Sequence, residues 1–422
     1  MIKEKVVIKG KFPKEIDGHV FHPDTLVAHL GFAPAWSDYS ANVPIFPTST
    51  YVLPSAEEGE CAFDPDIAPE NKPNFYTRFN GPNTEIAEER LAALESAGAS
   101  ALFGSGMAAI GALCEVFLES GDIIVHSEPL YGNTDRLFKQ KLCRRGIHSC
   151  GFSSEEELKE ILHTGSSVKM VFVETPANPT MKLYDISAIA EHTRSFLRHD
   201  VLVVVDNTFL GPIGQRPLKH GADMVVHSAT KSLGGHGDLT GGVVMGSREH
   251  IHTLKSERGT LGSIMQPFDA WLLTTHLQTL SLRVNKQAEN AGKIAHHLTK
   301  KREIERVHYP GLVKGMTSDS PHLLVFMKQC SNAGHMISFD LAGGKKAAFS
   351  FLNNLDVFEH AVSLGGVRSL ACHPASTTHR CVSEDDRKKF SITDGLVRLS
   401  IGTEHVDDLI WDIDQALAKA HG

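Results

Sequence analysis

The sequence predicts an α/β protein: a large, mostly parallel sheet covered on both faces, followed by a smaller C-terminal α+β unit. Three observations carry this. From about residue 84 to 206, strand-length apolar runs alternate with helix-length segments, as expected of parallel strands whose faces are both covered by helices. Two runs, Val168 to Glu174 and Val201 to Asp206, end on a carboxylate. After about residue 280 the alternation gives way to a long polar helix and more separated strand and helix segments.

Residues 1 to 80 are poorly periodic and read as an N-terminal arm. Within it, Ser55 to Asn74 carries six carboxylates and one lysine and reads as a solvated insertion. Thr84 is placed to cap a helix carrying Ile86, Leu91 and Leu94 inward, with Gly98 as its stop. Ala99 to Phe103 reads as a strand and Gly106 to Glu119 as a helix. Asp122 to Ser127 is a second strand, and Tyr131 to Arg145 a second helix. Ser154 with Glu157 makes a capping box for a helix through His163. The two carboxylate-ended runs flank a helix from Asp185 to Leu197. Beyond residue 280 come a helix from Val284 to Lys301, the segments Met336 to Leu341, Lys345 to Leu355 and Leu396 to Ile401, and a terminal helix from Val406 to Ala418. The expected division is an arm at 1–80, a large domain at 81–280 and a C-terminal domain at 281–422.

The 422 residues, 41% hydrophobic and 22% charged, describe an ordinary soluble globular protein with ample core. A net charge of −8 argues against a nucleic-acid partner. Seven cysteines (61, 114, 143, 150, 330, 372 and 381) form no CxxC pair and fit a reduced compartment. No apolar run approaches the roughly 20 residues needed to span a bilayer. Met1 to Lys5 mixes charges and lacks the apolar core of a signal peptide. A cytoplasmic protein without a membrane partner is expected. There are 24 histidines, but no HExxH or tight Cys/His cluster, so no metal site is expected.

The stretch His227-Ser228-Ala229-Thr230-Lys231, followed by Ser232-Leu233-Gly234-Gly235-His236-Gly237-Asp238, sets one lysine after a short apolar segment, among hydroxyls and glycines. Partial burial disfavours an ammonium, and a lysine with a lowered pKa can form an imine with a carbonyl. Asp206, twenty-five residues upstream, ends its apolar run at a strand's carboxyl end. A strand-end Asp paired with a downstream imine-forming lysine is what pyridoxal 5'-phosphate chemistry needs: the acid keeps the pyridine nitrogen protonated and the ring becomes an electron sink. Gly104-Ser105-Gly106-Met107-Ala108-Ala109, with Glu128 downstream, also matches a dinucleotide fingerprint. The same turn equally serves one phosphate held at a helix N-terminus. The Asp206 and Lys231 pair favours the second use. Ser228 and Thr230 can add hydroxyls to that phosphate, and Tyr76-Thr77-Arg78 a phenol and a bidentate guanidinium. Tyr131 can stack on a cofactor ring, and Arg398, a charge inside an apolar strand pattern, needs an anionic partner such as an α-carboxylate.

Together these residues resemble the Cys/Met-metabolism family of pyridoxal phosphate enzymes, which includes cystathionine γ-synthases and lyases, methionine γ-lyases and O-acylhomoserine sulfhydrylases. The match runs from about residue 75 to 420 and is strongest at Glu174-Thr175-Pro176-Ala177-Asn178-Pro179, Asp206-Asn207-Thr208-Phe209, the lysine motif and His373-Pro374-Ala375-Ser376-Thr377-Thr378-His379. The resemblance implies an aspartate-aminotransferase-like (fold type I) architecture in a homotetramer of two close dimers. It implies that Lys231 links to the cofactor, Asp206 pairs with its ring nitrogen, and the Gly106 and Met107 N–H groups with Ser228 and Thr230 hold its phosphate. Tyr76 and Arg78 would reach the phosphate of a neighbouring subunit. Tyr131 would stack on the ring and assist as acid or base, while Asn178, Ser363 and Arg398 would orient cofactor and substrate.

This chain departs from the family at three places. Gly81-Pro82-Asn83 replaces the usual Asn-Pro-Thr. Asn133 stands where methionine γ-lyases often carry cysteine, and Arg368 where many members carry glutamate before Ser-Leu. The implied activity is γ-elimination on a γ-substituted L-amino acid of the methionine or homocysteine type, giving 2-oxobutyrate, ammonia and the released group. The segments Leu-Gly-Gly-His-Gly-Asp after Lys231 and Ala-Val-Ser-Leu-Gly at 361 to 365 look closest to the methionine γ-lyase branch. The alternatives are γ-replacement on an O-acylhomoserine, with Arg368 available to a succinyl carboxylate, and elimination of a γ-oxygen group.

Overall fold

The computed structural model describes residues 12–16, 18–31, 42–64, 66–67, 71–164, 167–196, 200–380 and 382–421. The chain's first residues, Glu70, Leu197 and Cys381, on which expectations fell, lie outside them.

Seven strands form the larger sheet: β1 (Ala99–Phe103), β2 (Ile123–Ser127), β3 (His148–Phe152), β4 (Val168–Glu174), β5 (Leu202–Asp206), β6 (Met224–Ser228) and β7 (Gly242–Gly246), in the order β1-β7-β6-β5-β4-β2-β3. The contacts from β6 through β5, β4 and β2 to β3 are all parallel, and β7 alone runs antiparallel to its neighbours. Alternate residues face opposite sides of each strand. Thus Val204, Val226 and Val244 pack with α4 (Gly106–Phe117) and α7 (Arg248–Leu261). Val203 and Val205 instead meet α5 (Glu155–Thr164) and α6 (Ile186–Phe196) on the other face. There Val243 and Met245 also meet α3 (Pro82–Glu95) and α8 (Pro267–Leu277). These valines are fully buried, each worth about 1.5–3 kcal/mol over exposure.

The second sheet holds β8 (Ile304–His308), β9 (Met336–Leu341), β10 (Glu359–His360), β11 (Leu370–Cys372) and β12 (Leu396–Ser400), in the order β8-β9-β12-β11-β10. Its core joins Ile337, Phe339, Val397 and Leu399 to α9 (Leu280–Leu298), α10 (Gly344–Asn353) and α11 (Val406–His421).

Most predicted elements recur within a few residues, and the differences have local causes. Thr84 is inside α3: Pro82 occupies its first turn, Gly81 precedes it, and Ser96 rather than Gly98 takes the left-handed position at its end, with φ 61°. The expected helix from Tyr131 to Arg145 is an α-turn at Gly132–Arg136, a π-turn at Leu137–Lys141 and a 3₁₀ turn at Leu142–Arg145. The acidic insertion contains an eight-residue helix, Ala56–Phe63, capped by Ser55 Oγ accepting from Glu58 N at 3.2 Å. Ser154 does cap its helix, but Glu157 reaches back to Ser153 N and Oγ at 2.6 and 2.8 Å.

One buried carboxylate ties three elements together. Glu88 in α3 accepts from Leu102 N in β1 at 2.8 Å and from Arg258 Nη1 in α7 at 2.6 Å, with Lys255 Nζ at 2.6 Å. Burial pushes its carboxyl up, but the two cations outweigh burial and leave it below the usual range. Glu88→Ala strands both cations, so unfolding free energy is expected to fall by about 3–5 kcal/mol, read as the urea midpoint at neutral pH. Because the folded value is depressed, the wild-type contribution is present above the unfolded carboxyl's pKa and is lost as pH falls through the folded one.

Candidate active site

The parallel strands β4, β5 and β6 all release their chains at one edge, so their last residues converge. Glu174 ends β4, Asp206 ends β5 and is its register partner, and Ser228 ends β6. A cavity of about 770 Å³ opens there. Its lining spans both sheets: Gly106, Met107, Tyr131, Asp206, Ser228 and Lys231 from the larger, Leu364 and Arg398 from the smaller.

Lys231 follows β6 by three residues, in a tight turn fixed by Lys231 N to Ser228 O at 3.1 Å and Gly235 N to Lys231 O at 2.7 Å. Its Nζ donates to Ser363 Oγ at 3.0 Å. Burial, helped by the Arg398 charge, lowers its pKa to about 8. Ser363 can come this close because Gly365 (φ +78°) lies against the lysine's turn; a Cβ there would stand 2.5 Å from Ser232 N.

Asp206 Oδ1 accepts from Thr208 N at 3.0 Å and Thr208 Oγ1 at 2.6 Å. Its Oδ2 has no hydrogen-bond partner among the described residues. Thr208 Oγ1 also accepts from Ser228 N at 2.9 Å, tying the ends of β5 and β6. Glu174 accepts from Tyr131 N and Asn178 N, both at 2.8 Å. Burial and the Asp206 charge together push the Glu174 carboxyl up to about 8; burial also raises Asp206.

Arg398, 2% exposed on β12, donates through Nη1 to Asn178 Oδ1 at 3.0 Å and through Nη2 to Ser363 O at 3.3 Å. Neither acceptor is a carboxylate, so Arg398 has no ion pair among the described residues. On the opposite wall Ser105 caps α4, its Oγ accepting from Ala108 N at 3.1 Å. The first-turn N–H groups of Gly106 and Met107 have no carbonyl of their own helix to bond. A Cβ on Gly106 would stand 2.9 Å from Ser228 Cβ, so only glycine lets this turn meet β6.

Of the residues singled out in the sequence, Gly106, Met107, Tyr131, Asn178, Asp206, Ser228, Thr230, Lys231 and Arg398 line the cavity, with Ser363 bonded to the lysine. Tyr76 and Arg78 do not line the cavity of their own chain; Tyr76 is 40% exposed and Arg78 donates to Gly259 O. Arg368 is also elsewhere, exposed and paired with Glu359 at 2.7 Å. Asn133 Nδ2 donates to Tyr131 Oη at 2.9 Å. Sequence reasoning gave no role to Glu174, Thr208 or Arg380. Glu174 carried a signal, since like Asp206 it ends an apolar run. Among the described residues no three His, Cys, Asp or Glu side chains converge to hold a metal, and no helix is long and apolar enough to cross a membrane.

The sequence pattern of the family described as Cys/Met metabolism PLP-dependent enzyme matches residues 24–418. The chain is 37% identical to L-methionine gamma-lyase of Pseudomonas putida, over 93% of this chain and 96% of that protein. It is 38% identical to cystathionine gamma-lyase of Bacillus subtilis, over 93% and 98%. A solved structure of cystathionine gamma synthase from Xanthomonas oryzae pv. oryzae, in complex with cystathionine, superposes with a TM-score of 0.85 at 32% identity, over 96% of this chain and 99% of that one.

The lysine's surroundings give a direct check. In cofactor-free protein, reductive methylation of Lys231 should be half-maximal near pH 8, well below the value of about 10.4 for a solvated lysine. Arg398→Gln removes a neighbouring cation and should move that midpoint upward, as followed by peptide mass spectrometry.

Proposed function

The chain belongs to the Cys/Met metabolism family of pyridoxal-phosphate-dependent enzymes, and from that premise we propose that it catalyses γ-elimination on a γ-substituted L-amino acid. The observation that carries this is one cavity lined together by the low-pKa amine of Lys231, by Asp206 and by Arg398, which has no ion pair among the described residues.

The residues fit the cofactor. Asp206 lines the cavity and its Oδ2 has no hydrogen-bond partner among the described residues, an acceptor suited to a protonated ring nitrogen. The Gly106 turn offers N–H donors beside the hydroxyls of Ser228 and Thr230, suited to a phosphate. When bound, pyridoxal phosphate supplies an aldehyde for covalent attachment and a protonated ring that accepts the electron pair left by a departing proton.

The chain's own groups do the rest. Arg398, steadied by Asn178, pairs with the substrate α-carboxylate and fixes which Cα bond faces Lys231. The Lys231 amine takes the Cα proton and returns it further along the chain, so that the γ-substituent departs. Ser363 holds that amine when it is free. Tyr131, which lines the cavity, would stack on the bound ring and serve the departing group as acid or base, its hydroxyl oriented by Asn133. For methionine the balance is methionine plus water giving 2-oxobutyrate, ammonia and methanethiol. The working enzyme in this reading is a cytoplasmic homotetramer, with Tyr76 and Arg78 reaching the phosphate bound by a neighbouring subunit. Their position outside their own chain's cavity supports that assignment.

The second reading, γ-replacement, uses the same groups and differs in whether an external thiol captures the unsaturated product before water does. The identity to a methionine γ-lyase over nearly the whole chain favours elimination. The test is to incubate holoenzyme with methionine, homocysteine, cystathionine and O-acylhomoserines, with and without a thiol, and to identify every product. Release of 2-oxobutyrate with little thiol dependence is expected; a thiol-dependent new amino acid in its place overturns the elimination reading. Tyr131→Phe should cut kcat by roughly 10²–10⁴-fold, and Lys231→Ala should leave no measurable turnover.

A further inference from the structure

Five charged side chains line the cavity: Glu174, Asp206, Lys231, Arg380 and Arg398. Four have protein partners. Glu174 accepts from two backbone N–H groups, Asp206 from Thr208, Lys231 donates to Ser363, and Arg398 to Asn178 and Ser363. Arg380 differs: among the described residues its guanidinium has no ion pair and no hydrogen bond. Only its backbone N–H is engaged, donating to Thr377 O at 3.3 Å.

The burial of the two arginines sets the geometry. Arg398 is buried at the cavity's inner end, whereas Arg380 is exposed and lines the same cavity from its mouth. The same cavity is also lined by Tyr131, Val362, Leu364, Thr377 and Thr378, a surface for methylene groups. The segment that presents Arg380 is fixed. His379 beside it is fully buried, with Nε2 3.1 Å from Asn178 O and Nδ1 2.9 Å from Thr378 Oγ1, and Thr377 Oγ1 donates to His373 O at 2.7 Å. A guanidinium on an anchored backbone, still solvated before binding, gives up little on meeting an anion. Its planar fork of donors matches a carboxylate. Arg368, the cation the sequence offered for this part, is already paired with Glu359 outside the cavity.

We propose that Arg380 is a specificity-determining residue that binds an anionic terminus on the substrate's γ-substituent, so that the site prefers substituents ending in a carboxylate over neutral ones. This rests on the reading of the substrate as a γ-substituted amino acid whose α-carboxylate meets Arg398.

Two unreactive probes isolate the contact. L-2-aminoadipate and L-norleucine have side chains of equal length, ending in a carboxylate and a methyl group respectively. Titrated calorimetrically into wild-type holoenzyme, the first should bind about tenfold more tightly, the scale of one partly exposed charge-assisted pair. That ratio should shrink in high salt, collapse towards one in Arg380→Ser, and be partly restored in Arg380→Lys. Equal binding by the wild type, or a preference that survives Arg380→Ser, overturns the proposal. The reactive pair is O-succinyl-L-homoserine and O-acetyl-L-homoserine. Their ratio of kcat/KM for 2-oxobutyrate release should fall by the same factor in Arg380→Ser, and an unchanged ratio also overturns it. If neither ester is turned over while the probe ratio follows Arg380, the elimination reading fails and the anion contact stands.

Discussion

Two carboxylates side by side at the ends of neighbouring parallel strands are the constraint around which the site is built. Glu174 and Asp206 are register partners on β4 and β5, both buried. At such separations inside a protein, two negative charges repel by several kcal/mol. The structure relieves this unequally. Asp206 takes a short hydroxyl bond and a backbone N–H from Thr208, and feels the favourable charge of His227 behind it. Glu174 takes two backbone N–H groups, yet its carboxyl still rises to about 8. Burial thus raises both carboxyls of the pair. Asp206 keeps one oxygen, Oδ2, without a hydrogen-bond partner among the described residues.

That pair links the sheet to the chemistry. A cation bound opposite Asp206, such as a protonated heteroaromatic nitrogen, would favour its ionised form in this poorly solvated site. Glu174, meanwhile, is spent on structure: its two oxygens fix Tyr131 N and Asn178 N. One strand-end acid thus sets both the loop that carries the tyrosine and the amide that steadies Arg398. Cation repulsion is used in the same manner. Arg398 beside Lys231 adds to burial in holding the lysine near 8, so the group proposed to read an α-carboxylate would also keep the amine available as a base. Binding an α-carboxylate would offset the Arg398 charge and raise the lysine's affinity for a proton at the moment it must accept one.

How much of this was legible in the sequence depended on how local each signal was. Asp206 and Lys231 were readable because each stands at a sharp change of pattern: a carboxylate closing a run of valines, and a lysine among hydroxyls after β6. The turn at Gly106 was readable for the same reason. Glu174 was visible as a strand end, but its pairing with Asp206 depends on β4 and β5 being adjacent, which no local pattern states. The strand His148–Phe152 was missed because it sits at the sheet edge with only β2 beside it, so burial does not force an apolar run. The short helix after Ser55 was missed because its composition is that of a solvated loop, although Ser55 with Glu57 and Glu58 is a good helix start. The expected single helix from Tyr131 to Arg145 failed in its detail, since buried Phe138 and Leu142 are reached through a widened and then a tightened turn. Arg380 gave no signal at all: between His379 and a cysteine it reads as an ordinary loop cation, and only the fold brings it into the cavity.

The separation between inner and outer cavity explains why the motifs that identify the family do not specify the substrate. In the proposed reading Lys231, Asp206, Arg398 and the Gly106 turn meet the parts common to every α-amino acid and to the cofactor. Elimination and replacement need the same proton transfers, so these residues cannot distinguish them. The atoms that differ among substrates lie beyond Cγ, and in the proposed reading they would meet the cavity residues Val362, Thr377, Thr378 and Arg380. Those residues come from the connections flanking β11 of the smaller sheet. Loops tolerate substitution because their stability rests on few contacts, whereas the strand ends are fixed by packing on both faces and by the hydrogen bonds of Glu174 and Asp206. Selectivity can therefore change at the mouth without disturbing the acid–base chemistry within, and an unpaired arginine is the kind of addition such a mouth can accept at little cost to the fold.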